Sequence, residues 1–284
     1  MATNTHINNW INRAELDYYT MFIKSWIPFN AWYMKDFYDE SSTPKRTSDR
    51  SIIDFLNANS NKYRDKIKSL LRGTDVASKD FLELLAKLHY ELESHPIPDY
   101  DNRISFLTVS LSRNTLKTYS QSVGRFTYFV EFQDQLPKTQ KRWFLEIQKK
   151  VNNQTLNRVE LFEWSLEELN NDPDFISIIE QDQKNKLRDT FLNINPKKPI
   201  DVVIKPKRNR NGNFSQPNDS IIIDETNHLY FTDDYDLVSK VIVQLIYDLR
   251  CKLFHGELDP IEANLGVYEN AYKIQKILIK ELRA

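Results

Sequence analysis

Arg250-Cys251-Lys252-Leu253-Phe254-His255-Gly256 closes an apolar run in which Val238, Val241, Ile242, Leu245, Leu249 and Leu253 recur at threes and fours. That spacing is one face of an α-helix. Thr232 or Asp233 supplies a cap at its start, and Gly256, one of only 5 glycines, stops it. The helix therefore ends on an Arg and a His. Arg carries a permanent, forked set of donors suited to phosphate. His is the side chain whose unperturbed pKa lets it take and give a proton near neutral pH. The two together are a minimal kit for cleaving RNA without a metal. The same His, just before a helix-ending Gly, also suits a simple C-terminal cap that complements the helix dipole.

The rest of the chain reads as helices at both ends. Trp10, Ala14, Tyr18, Met21, Phe22, Trp26 and Phe29 follow helical spacing over about residues 7–38, where Pro28 is expected to kink or divide the helix. Its many aromatic side chains fit either a packed core or dimer face, or a base-stacking surface. Further helices are expected over 51–71 and 78–93, the first stopped by Gly73 and the second by Pro96 and Pro98. After residue 260 a last helix covers 261–282. Between these ends the period changes. Strands are expected over 104–111, 124–132, 142–147, 200–205 and 220–231, and helices over 156–170 and 172–191. The division expected is 1–98, 99–231 and 232–284. The expected class is mainly α, a helical bundle built from the two ends and interrupted by a mixed α/β insertion.

Composition narrows the functional classes. With 284 residues, 40% hydrophobic and 12% aromatic, the chain can bury a sizeable core. Its 39 Lys plus Arg against 40 Asp plus Glu give a net charge of −1 and no global attraction to nucleic acid. A local patch is needed instead, and Lys205, Lys207, Arg208 and Arg210 offer one around Asn211-Gly212, although a solvated hairpin tip has the same composition. The single cysteine, Cys251, excludes an internal disulfide framework and a cysteine zinc site. His89 and His95 lack metal-ligand spacing, so neither metal nor cofactor is expected. With no apolar run approaching about 18 residues and no basic, apolar leader at Met1, a cytoplasmic protein without membrane contact is expected.

Arg250, a four-residue spacer and His255-Gly256, followed by a short loop and a last amphipathic helix, resemble the HEPN superfamily. Phe22 to Tyr33, an apolar run leading into the pair Phe29-Asn30, is similar to the first helix of many of its members. The resemblance spans about residues 7–95 and 230–284 and leaves the middle unaccounted for. It implies an all-helical fold and a metal-independent endoribonuclease with Arg250 and His255 as the catalytic pair. Asn30, Cys251 and Gly256 would support them, and Cys251 stands where the family usually carries a polar residue. It further implies a homodimer with a composite cleft, RNA as substrate, and a toxin or antiviral-defence role with an antitoxin or defence-system partner. A non-catalytic scaffold that dimerises and binds RNA or a protein is the alternative. On an ideal helix, side chains five positions apart point about 140° away from each other, from roughly 100° per residue. A long Arg or an irregular last turn is therefore needed to bring them together.

Overall fold

The computed structural model describes residues 17–99, 102–111, 115–208, 214–258 and 261–283. The chain divides into two compact units. The first comprises Met1–Pro98, Arg103–Val109 and Ile200–Ala284; the second comprises Asp99–Asn102 and Ser110–Pro199. Residues 200–231, grouped with the insertion on sequence grounds, thus cluster with the terminal helices.

The first unit opens with α1 (Tyr18–Phe37), capped by Asp17, whose carboxylate accepts from the Thr20 amide at 3.1 Å. Helix α1 runs through Pro28 undivided. Its aromatic side chains pack inward: Phe22, Trp26, Phe29, Trp32 and Tyr33 are buried, and the Phe29 ring lies 4.3 Å from that of Tyr63. The helix is therefore core, and the base-stacking alternative does not describe it. Next come α2 (Asp49–Ala58), α3 (Lys62–Arg72) and α4 (Val76–Ser94). Ser48 opens α2 with a reciprocal capping box to Ser51. The unit closes with α8 (Tyr235–Phe254) and α9 (Leu265–Leu278). The Tyr268 hydroxyl of α9 donates to the Leu249 carbonyl of α8 at 3.0 Å.

Beside these helices lies a small antiparallel sheet. Strand β8 (Ser220–Asp224) pairs with β9 (Leu229–Thr232), and β9 with β5 (Val203–Ile204). The strand expected over 220–231 is thus a hairpin. Asp224 turns it by accepting from the Asn227 amide at 3.1 Å, with His228 in the left-handed region at φ 57. The run at 104–111 is not a strand: it is a buried turn in which Ser105 accepts from the Leu107 and Thr108 amides, and only Val109 bridges to Ile200. Burial, rather than sheet pairing, explains its apolar residues.

The second unit is a four-stranded antiparallel meander, β1 (Thr118–Val123), β2 (Phe126–Phe132), β3 (Trp143–Lys149) and β4 (Thr155–Leu161). Inward residues alternate along it: Tyr128 and Val130, then Trp143, Leu145 and Ile147, then Val159 and Leu161. They bury against α5 (Leu166–Asn171), α6 (Pro173–Ser177) and α7 (Gln181–Leu192), through Leu169, Phe175, Leu187 and Phe191.

The expectation of a mainly α protein is therefore corrected: among the described residues helix makes up 49% and strand 19%, a mixed α/β fold. The shortfall lies in strands that carry little apolar signal. Strands β1 and β4 are the sheet's edges, and their sequences, TYSQSV and TLNRVEL, are largely polar because their outward faces meet water. Helix was expected across 156–170; the alternation of Val159 and Leu161 there is a strand's, and helix begins only at Leu166.

Candidate active site at the end of the motif helix

Helix α8 ends at Phe254, with His255 as its C-cap at φ −87, ψ 1. Gly256 follows in the left-handed region at φ 66. The Glu257 amide donates to the Lys252 carbonyl at 3.0 Å, and the Gly256 amide to the Leu253 carbonyl at 3.4 Å. These two bonds form a Schellman closure, so the backbone alone satisfies the helix end. The His255 side chain takes no part in it and is exposed. This separates the two readings of His255: the cap is made without the imidazole.

Arg250 sits one turn back on a different footing. Its Nη2 pairs with Asp49 Oδ2 at 2.8 Å, and the side chain retains 15% exposure. The guanidinium lies 4.3 Å over the Phe254 ring and 5.7 Å from that of Trp26. Asp49 is the first residue of α2, where the positive end of the helix dipole favours a carboxylate. Its Oδ1 accepts from the Tyr33 hydroxyl at 2.9 Å and from Asn30 Nδ2 at 3.2 Å, and Asn30 also donates to the Tyr33 oxygen. Burial pushes the Tyr33 hydroxyl well above its usual pKa, against a smaller downward pull from Asn30 and with a further push from Asp49. It remains a protonated donor. Asp49, Tyr33 and Asn30, from α1 and α2, thus fix the Arg250 cation on α8, five positions before a solvent-facing imidazole.

Asp49 and Tyr33 carry the geometry and were not singled out in the sequence. Asp49 had a local signal, an acid directly after the Ser48 cap, but that marks any helix start. Only the fold brings it to Arg250.

Cys251 is half-buried. Burial raises its thiol pKa, against weaker downward pulls from Tyr247 and Arg250. A neutral, enclosed thiol is a poor nucleophile, so a Cys251–His255 pair is not supported. The basic hairpin is only partly described. Lys205 is exposed, and Lys207–Arg208 forms β6, paired with β7 (Phe214–Ser215). The Arg208 guanidinium lies 4.7 Å over the Phe214 ring rather than in the Arg250 cluster. Arg210 and the Asn211-Gly212 turn lie outside the described residues.

Among the described residues, no group of three or more His, Cys, Asp or Glu side chains could hold a metal ion. No described helix is long and apolar enough to cross a membrane. Compared with known proteins, the chain matches no family profile, no curated protein and no solved structure.

Proposed function

We propose that this chain is a metal-independent endoribonuclease of the HEPN kind, a cytoplasmic toxin or antiviral-defence effector held in check by an antitoxin or defence-system partner. The observation that carries it is a cation locked in place by Asp49, Tyr33 and Asn30, five positions along the chain from an exposed imidazole that the helix end does not use. In this reaction the RNA 2′-hydroxyl attacks the adjacent phosphorus. One imidazole nitrogen of His255 takes the hydroxyl proton, or an imidazolium returns one to the departing 5′-oxygen. The phosphorane that forms between these steps carries extra negative charge, and Arg250 neutralises it from a fixed position without reorganisation. DNA lacks the attacking hydroxyl and is spared.

A homodimer completes the site. Phe254 is 47% exposed immediately beside Arg250, and a two-fold axis there would bring a second Arg250 and His255 into one cleft. Doubling the cations also answers the net charge of −1.

One observation favours the alternative of a non-catalytic scaffold. Arg250 is already paired with a carboxylate, and its Nε is buried without an acceptor, so its reach toward a phosphate is limited. The deciding experiment incubates labelled RNA with the parent protein in EDTA, alongside Arg250→Ala and His255→Ala. Cleavage by the parent and a loss on the order of a hundredfold in each variant is expected. Uncleaved RNA, or cleavage unchanged in both variants, would leave the scaffold reading.

A further inference from the structure

The second unit contains a cavity of about 560 Å³ that plays no part in the reading above. Its walls are aromatic. Phe132 and Trp143 stack with centroids 4.2 Å apart and planes at 21°, Trp164 stacks on Phe191 at 5.1 Å, and Phe162 lines the cavity while 46% exposed. The buried rings are rigidly held, since Trp164 Nε1 donates to the Phe191 carbonyl at 3.1 Å. Around this apolar floor stand three cations, Lys117, Lys138 and Arg142. Lys117 pairs with Asp134. Arg142 lies 4.8 Å over the Phe132 ring, and its Nη2 donates to the Asp134 carbonyl at 3.1 Å. Lys138 is exposed and has no acidic partner among the described residues. The one carboxylate in the lining is Glu163.

We propose that this cavity binds a nucleoside phosphate, with the base against Phe162 and the Phe132–Trp143 stack and the phosphate against Lys138, Arg142 and Lys117. The chemistry follows from the lining. A flat π-face stacks on an exposed aromatic side chain whatever its hydrogen-bonding pattern. With Lys117 shared with Asp134, Lys138 and Arg142 still outnumber Glu163 in the lining and favour an anionic ligand, and the Arg142 fork suits phosphate oxygens. Glu163 can accept from ribose hydroxyls or an exocyclic amine. The volume falls in the range of roughly 300–1,000 Å³ typical of small-ligand sites, which excludes a polymer as the enclosed occupant. The proposal is independent of Arg250 and His255, so either can fail alone.

Isothermal titration of the full-length chain with each of the four ribonucleoside monophosphates tests it, with adenosine, inorganic phosphate and a 2′-O-methyl RNA oligomer as further ligands. At least one monophosphate should bind saturably, and at least tenfold more tightly than adenosine or phosphate alone. Lys138→Glu and Phe162→Ala should each weaken that binding at least tenfold at an unchanged melting temperature, because both side chains are exposed. Four results would overturn the proposal: no saturable monophosphate binding at millimolar concentration, adenosine binding as tightly as the nucleotide, parental affinity in both variants, or an oligomer binding far more tightly than any monomer.

Discussion

Two arginines anchor the first unit, and they are held in opposite ways. Arg64 on α3 is 2% exposed and saturated with acceptors. It donates to the carbonyls of Leu56, Asn57 and Asn59 and to Ser239 Oγ, and it pairs with Asp236 at the start of α8. Arg250 keeps more of its side chain in solvent, has one carboxylate partner and leaves Nε without an acceptor. A buried charge is tolerable only when its donors are satisfied. Arg64 meets that condition and ties α3 to α8, so its role ends with the fold. Arg250 meets it incompletely: among the described residues it has one carboxylate partner, and its buried Nε has no acceptor.

Replacing each arginine is the strongest way to break this contrast. Arg64→Met removes the buried donors that join Asn57 O and Ser239 Oγ and tie α3 to α8, while Asp236 keeps Lys240, and should cost about 2–3 kcal/mol. Arg250→Met leaves Asp49 its Tyr33 and Asn30 donors and should cost about 1–2 kcal/mol. Denaturant unfolding of both variants checks this; equal losses would show that the two sites are equally structural.

Asp49→Asn sharpens the comparison from the partner's side. It keeps an acceptor for Tyr33 but removes the charge that orients Arg250. Cleavage should fall on the order of tenfold, with stability lowered by about 1 kcal/mol. A cleavage rate above the parent's would mean instead that Asp49 restrains Arg250 by competing with phosphate.

The helix end offers a smaller test. Gly256 sits at φ 66 with open space where a Cβ would lie, so Gly256→Ala meets backbone strain alone and should lose about 1 kcal/mol. His255→Ala should lose less than about 0.5 kcal/mol, because the closure is made by backbone groups. A His255 loss exceeding that of Gly256 would restore the cap reading.

The smallest effect is acid sensitivity at Arg64. A hydrogen bond from Lys240, then the Arg64 charge, hold the Asp236 carboxyl below the usual 3.8. A depressed folded pKa stabilises the fold above the unfolded value and is lost as pH falls through the folded one. Asp236→Asn should therefore lose stability at pH 7 and flatten the decline below 3.8. Parallel pH profiles for parent and variant would contradict that linkage.

The sequence was informative where burial is one-sided and periodic. The stripe from Val238 to Leu253 placed α8, and Phe81, Leu85, Leu88 and Leu92 placed α4, because a 3.6-residue period survives without knowledge of neighbours. It was less informative at sheet edges, where half of each strand faces water: β1 shows no apolar alternation, and β4 shows it only at Val159 and Leu161. Arg250, His255, Gly256 and Asn30 could be named from their order along the chain. That Asn30 reaches Arg250 through Asp49 could not.

What the sequence by itself determined is local: where the long helices run, where Gly256 ends α8, and which side chains lie near that end. Tertiary structure alone decided that Arg64 is a buried tie and Arg250 an incompletely satisfied one. The two carry the same charge, so only the acceptors that folding brings from distant segments distinguish them.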